Sequence, residues 1–281
     1  MPVLEMTINR DKAETLRALH KGPGVLVLPN AWDVASAKIF ENSGFRAIAT
    51  TSAGIAASLG YADGQHISRC EMLDAVTRIA RAVSIPVTAD LEAGYATTAE
   101  EMRQTAIGLL ETGAVGLNLE DGLKEGTFPL EQTSHHVGKI RTVREVCREA
   151  GVDLVINART DIFLKNVGES VNRLAHAIHR GNAYLHAGAD CIFVPGVTEA
   201  DTIGELVQNI SGPINILAVA GTPAISELER LGVSRVTFGS GPMRAALGLV
   251  ERIARELEDH GTYNNMIGGA KPYTDTNKLF E

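Results

Sequence analysis

Cysteine is scarce in this chain: Cys70, Cys147 and Cys191 are the only three, scattered and odd in number. They offer no metal-ligand spacing and suit a reducing compartment. A basic block is also missing. With 26 Lys and Arg against 34 Asp and Glu, the formal net charge is −8, which argues against nucleic acid or an anionic membrane as a partner. No run approaches the ~18 apolar residues of a membrane span. The first ten residues carry Glu5 and Arg10 and lack an apolar signal region. The expectation is a cytoplasmic protein with neither leader nor membrane helix. Finally, there is no composition shift, no Pro/Ser-rich linker, and no glycine-rich fingerprint in Leu28-Pro29-Asn30-Ala31-Trp32-Asp33. The last absence speaks against a doubly wound dinucleotide-binding sheet.

What the chain does have is a repeated phrase: helix end, glycine, one to three residues, apolar strand. It occurs at Gly44, Gly113, Gly151, Gly188 and Gly232, each glycine suited to the left-handed closure of a helix. The strands that follow are Ala47–Thr50, Val115–Leu119, Leu154–Ile156, Cys191–Val194 and Arg235–Phe238. Three more apolar runs, Val25–Leu28, Ile85–Ala89 and Ile214–Ala218, bring the count to eight. Short, nearly continuous apolar runs are the mark of parallel strands covered on both faces. Capping boxes at Ser68–Glu71 and Thr98–Glu101 start two helices, the first continuing through Met72, Val76, Ile79 and Val83. Further helices are expected near 131–150, 171–187, 199–210, 223–231 and 243–258. A length of 281 residues, 44% of them hydrophobic, fits one (β/α)8 barrel, which needs roughly 250 residues. The whole chain is therefore read as one barrel domain, with residues 261–281 as an extended arm.

A barrel places its chemistry at the C-terminal ends of its strands. Asp90 and Glu92 follow the third strand, two residues apart and so on one side of it. Glu120 and Asp121 follow the fourth, and Arg159 the fifth. Thr51-Ser52-Ala53-Gly54 follow the second, Asn30 and Asp33 the first. Asn215 lies in the seventh, and the eighth ends in Gly239-Ser240-Gly241. Carboxylates this close repel unless a proton or cation sits between them, and an all-oxygen set suits a hard divalent cation. Such a set, with an arginine and a small-residue turn, would bind a cation and a small anionic substrate. His135 and His136 read as a solvated helix start, His176, His179 and His186 as an exposed face. Trp32 reads as packing at the barrel mouth.

The phrases Thr51-Ser52-Ala53-Gly54, Leu59–Asp63, Ala89–Tyr95, Leu119-Glu120-Asp121 and Asn157–Asp161, in this order, resemble the isocitrate lyase/phosphoenolpyruvate mutase superfamily from about Leu28 to Gly241. The resemblance implies Mg²⁺ (or Mn²⁺) near Asp90, with Glu92 and Glu120 as water-mediated ligands, and an α-oxo acid or dicarboxylate substrate. Thr51, Ser52, Ala53, Asp90, Arg159 and Asn215 would bind that substrate. Asp63, Glu120 and Arg159 would serve the reaction, with Asp63 near metal and reacting group. The implied chemistry is formation of a pyruvate enolate as a C–C or P–C bond at C3 breaks. Lyases of this family that use a Lys-Arg-Cys-Gly-His loop have their acid/base cysteine where this chain reads Gly122–Leu130, without cysteine. The mutases' longer lid and strand-6 histidine are absent too, Pro195-Gly196 standing at the latter place. That favours oxaloacetate decarboxylation or cleavage of a malate derivative. A P–C bond enzyme is the alternative, and a non-catalytic oxo-acid binder the reading from another class. The family resemblance also implies a homo-oligomer, dimer or tetramer, that exchanges its last helix.

Overall fold

The computed structural model describes residues 3–123 and 129–281. All strand pairings are parallel, in the order β1-β9-β8-β7-β6-β5-β4-β3-β2. The strands are β1 (Leu26–Leu28), β2 (Asn30–Ala31), β3 (Ile48–Thr50), β4 (Val87–Asp90), β5 (Gly116–Glu120), β6 (Val155–Arg159), β7 (Cys191–Phe193), β8 (Ile214–Leu217) and β9 (Arg235–Thr237). β1 and β2 are one barrel strand interrupted at Pro29. A proline has no N–H for the ladder, so pairing switches there: β1 pairs with β9 and β2 with β3. The ring is thereby closed as a (β/α)8 barrel. Asn30 staples the seam, accepting from the amides of Phe238 (2.8 Å) and Gly239 (3.0 Å) and donating to the Thr50 carbonyl (2.9 Å).

The surrounding helices form where the sequence provides caps and stops. In α4 (Arg69–Ala82) and α5 (Ala99–Thr112) both reciprocal capping boxes are present. Met72, Val76 and Ile79 of α4 are buried. Gly113 closes α5 at φ +90° and Gly151 closes α6 (Thr133–Ala150) at φ +67°, conformations a side chain would disfavour. The ring continues with α2 (Val34–Asn42), α7 (Ser170–Ala187), α8 (Ala200–Asn209) and α9 (Ile225–Arg230), while α10 (Gly241–His260) follows the last strand and buries only Met243 and Glu256. Among the described residues no helix is long and apolar enough to cross a membrane.

Three features depart from the sequence reading. A helix, α1 (Val3–Leu19), precedes the barrel, and its Ala13, Leu16 and Leu19 pack with Leu26, Leu28, Ala47, Val115 and Val155. It plugs the N-terminal mouth so closely that a Cβ on Gly116 would meet Leu16 at 3.1 Å. The small-residue segment after β3 is itself helical, α3 (Ser52–Ser58). Residues 261–281 are not an extended arm, because they contain α11 (Asn264–Gly269) and α12 (Tyr273–Asn277). Glu256 organises that turn, accepting from Thr262 Oγ1 and from the amides of Asn264 and Asn265.

Between the α1 plug and the barrel axis lie two buried basic groups. Burial lowers the Arg235 pKa to about 10, and its Nη2 donates to Asn118 Oδ1 at 3.4 Å. Burial, then the Arg235 charge, brings His20 down to about 4, although its Nδ1 meets the Leu16 carbonyl. A histidine held neutral in the fold takes up its proton only on unfolding, so its penalty is absent above pH 6.5 and grows down to about pH 4. Urea titrations across that interval should show a loss of up to about 3 kcal/mol assignable to His20. His20→Leu should flatten the decline; an unchanged slope would contradict this assignment.

Candidate active site

At the C-terminal mouth, β4, β5 and β6 end side by side, and their registers align Asp90 with Asn118 and Glu120 with Arg159. Asp90 is buried. Its Oδ2 accepts from both the amide (3.1 Å) and the hydroxyl (2.9 Å) of Ser52, and its own amide donates to Thr50 Oγ1 at 2.9 Å. Its Oδ1 is buried with no hydrogen-bond partner. Arg159 is held from two sides. Nη1 meets Glu120 Oε2 at 2.8 Å, while Nε and Nη2 meet Asp161 Oδ1 and Oδ2 at 2.6 and 3.2 Å. The Phe193 ring lies 5.7 Å from its guanidinium carbon. Burial alone would lower the Arg159 pKa; the carboxylates of Glu120, Asp161 and Asp90 reverse that and raise it.

Strand alternation separates Glu120 from Asp121. Asp121 turns away from Arg159 into the layer of α7, where Oδ2 accepts from the Tyr184 hydroxyl (2.7 Å) and Arg180 (2.9 Å). Its Oδ1 accepts the Asp161 amide at 2.9 Å, so Asp121 positions the residue that positions Arg159. Gly122 must stay small here, since a Cβ would come within 2.2 Å of Asp161 Oδ2.

The turn after β4 is fixed from behind. Lys139, buried on α6, donates to the Ala93 carbonyl at 2.9 Å and pairs with Glu131. Thr105 Oγ1 donates to the Gly94 carbonyl at 2.8 Å. Glu92 itself is buried at φ +52°, its Oε1 accepting from the Gln65 amide (3.1 Å) and the Tyr95 hydroxyl (3.3 Å).

The remaining expected residues take the following places. Ser52, expected on substrate, directs both its amide and its hydroxyl to Asp90. Thr51 caps α3, its Oγ1 accepting the Gly54 amide at 3.3 Å, and Ala53 is half-buried in the first turn. Asn215 is buried in the barrel, accepting from Thr237 Oγ1 at 3.2 Å, and not bonded to the acidic set. Asp63 lies exposed on the loop between α3 and α4. His136, expected in solvent, is buried against the Tyr184 ring at 4.5 Å, whereas His176, His179 and His186 are exposed as expected. In the Gly122–Leu130 loop, residues 124–128 lie outside the described residues; its ends are joined by an antiparallel bridge between Gly122 and Leu130. Asp161 and Gln65 carried no role in the sequence reading. Asp161 was detectable as the residue two beyond Arg159, on the same side; the hold of Gln65 on Glu92 has no local signal.

Among the described residues no three His, Cys, Asp or Glu side chains converge on one point as a ready metal cage. The donor chemistry nevertheless fits a hard divalent cation: Asp90 Oδ1 is a buried anionic oxygen without a partner. Mg²⁺ characteristically takes one or two carboxylates and keeps several waters. Glu92 and Glu120, engaged by Tyr95, Gln65 and Arg159, would meet such a cation only through its waters.

The Arg159 clamp yields a stability test. Removing one partner of a buried ion pair strands the other and costs about 3–5 kcal/mol. Arg159→Met should show a loss of about that size in urea unfolding at pH 7. A loss below about 1 kcal/mol, the size expected of a solvated ion pair, would contradict the clamp.

The family described as phosphoenolpyruvate phosphomutase matches residues 16–258 of this chain. An oxaloacetate decarboxylase of Bradyrhizobium sp. strain BTAi1 is 30% identical over 273 residues, 94% of this chain and 88% of that protein. A 2-methylisocitrate lyase of Halalkalibacterium halodurans is 28% identical over 263 residues, covering 90% and 84%. A solved lyase/mutase-class protein from Burkholderia cenocepacia J2315 superposes with a TM-score of 0.91 at 34% identity, over 97% of each chain. With the strand-end acids and Arg159 in this arrangement, the chain belongs to the isocitrate lyase/phosphoenolpyruvate mutase superfamily.

Proposed function

We propose that this protein is a Mg²⁺-dependent lyase that breaks a C–C bond at C3 of a small α-oxo dicarboxylic acid or substituted malate. Oxaloacetate decarboxylation is the leading case. The observation that carries the reading is the pairing of one partnerless buried oxygen, Asp90 Oδ1, with one guanidinium, Arg159, clamped by Glu120 and Asp161 within electrostatic reach of Asp90. The first suits a cation, the second a substrate carboxylate or oxo group. Relatives named as oxaloacetate decarboxylase and 2-methylisocitrate lyase support the same class.

For oxaloacetate the C3–C4 bond breaks and C4 leaves as CO₂. The electron pair moves into C2–C3, negative charge collects on the C2 oxygen, and C3 takes a proton supplied by solvent. A bound Mg²⁺ or Mn²⁺ would supply positive charge where that enolate oxygen develops. Arg159 contributes a second, preorganised charge that needs no reorganisation as the enolate forms, because Asp161 and Glu120 already fix its direction. Thr51 and Ala53, at the start of α3, line the side from which Ser52 holds Asp90. Asp63 supplies a further acid near the substrate in this reading.

Pyruvate release from oxaloacetate, measured above the background rate with Mg²⁺, should fall about a thousandfold in Asp90→Ala and about a hundredfold in Arg159→Lys. Consumption of phosphonopyruvate with no C–C cleavage would instead establish the P–C reading. Binding without any turnover would make the protein an oxo-acid carrier.

We infer also that the protein assembles through its last helix. Along α10 only Met243 and Glu256 are buried, while Leu247, Val250 and Leu257 are exposed. With Ala254 they recur at spacings of three and four, the seam of a helix that meets another helix. Tyr263, Met266 and Ile267 extend the apolar face. Sedimentation should give a dimer or tetramer at micromolar concentration, converted towards monomer by Leu247→Glu with Val250→Glu. A wild-type monomer would contradict this.

A further inference from the structure

Among the described residues, four other than glycine hold a positive φ: Gln65 (+59°), Glu92 (+52°), Tyr95 (+52°) and Asn166 (+52°). Left-handed backbone is disfavoured for residues with long side chains, and it persists where surrounding contacts over-determine it. Asn166 belongs to the loop before α7, where Arg173 bonds its side chain. The other three bond one another. Glu92 Oε1 accepts the Gln65 amide at 3.1 Å and the Tyr95 hydroxyl at 3.3 Å, and Gln65 Oε1 accepts the Tyr95 amide at 2.9 Å. Gln65 therefore contributes a backbone donor to one strained residue and a side-chain acceptor to the other.

The ring joins two segments that are far apart in sequence. One is the loop between α3 and α4, which carries Asp63 and turns at Gly64 (φ +115°). The other is the turn after β4, immediately beyond Asp90 and already pinned from behind by Lys139 and Thr105. The second segment is rigid, so the loop takes its position from it through Gln65.

We propose that Gln65 is a positioning residue for catalysis, latching the Asp63-bearing loop to the strained Glu92–Tyr95 turn beside the catalytic carboxylates. Glu92 is then an anchor for this loop as well as a member of the acidic site. This inference rests on the lyase reading for its kinetic arm only.

The test compares Gln65→Ala, Gln65→Gly, Tyr95→Phe and the Gln65→Ala/Tyr95→Phe double variant. With the substrate that the wild type turns over, Gln65→Ala and Gln65→Gly should each lose at least about tenfold in kcat. Their Kd for oxalate with Mg²⁺ should stay within about threefold of wild type, since Asp90 and Arg159 are untouched. Glycine relieves the backbone strain but removes the side-chain Oε1 that accepts the Tyr95 amide, so recovery of wild-type kcat in Gln65→Gly would overturn the latch. The double variant should be little worse than the more damaged single one, because both act through one ring; full additivity would overturn it. Parallel loss of kcat and oxalate affinity in Gln65→Ala would mean general damage, and also overturns it. Hydrogen exchange provides an arm independent of turnover: amides 60–64 should exchange at least about tenfold faster in Gln65→Ala. If the wild type cleaves nothing, the lyase reading fails while this arm still decides the latch. Unchanged exchange overturns it.

Discussion

A guanidinium held between two buried carboxylates sets the terms for this barrel's mouth. Arg159, only partly open to water, has its direction set by Glu120 on one side and Asp161 on the other. Asp161 is in turn fixed by Asp121, and Asp121 by Tyr184 and Arg180. The chain of contacts runs from the outer helix layer to the barrel axis, and every link is a hydrogen bond to an ionised group, the strong kind. The result is a cation whose direction is decided before any substrate arrives. Asp90, held on one oxygen by Ser52 with the other unengaged by the protein, is the matching anionic element.

The two elements are mounted differently. Arg159 and Glu120 end β6 and β5 and inherit the stiffness of the sheet. Glu92 and Tyr95 occupy a turn whose backbone is held in a disfavoured conformation by Lys139, Thr105 and Gln65. Strain of this kind costs stability and is retained where a geometry matters. Here the geometry aims the Glu92 carboxylate at Gln65, on the loop that carries Asp63.

Much of this was legible in the chain. The glycines at 44, 113, 151, 188 and 232 all adopt positive φ before strands, and both capping boxes form, because helix ends depend on residues a few positions apart. The barrel follows from their repetition, and the strand-end acids from the rule that strand ends form the mouth. What was hidden depends on contacts between distant segments. The α1 plug has a weak pattern of its own and is defined by Leu16 meeting the barrel floor. The division of the first strand at Pro29 reflects which neighbour needs an N–H. Nothing local announces that Asp90 takes both donors of Ser52. His136 looked solvated because nothing local announces that Tyr184 will cover it.

The most direct measurement is calorimetric titration of the metal-stripped protein with oxalate, which has the shape and charge of a pyruvate enolate. An enolate site built on Asp90 and Arg159 predicts binding that requires Mg²⁺ and is abolished in Asp90→Ala. It also predicts weaker binding in Arg159→Lys, where the bidentate grip is lost. Equal binding with and without Mg²⁺, or none under either condition, would contradict it. The barrel would then share its fold with this superfamily but not its chemistry.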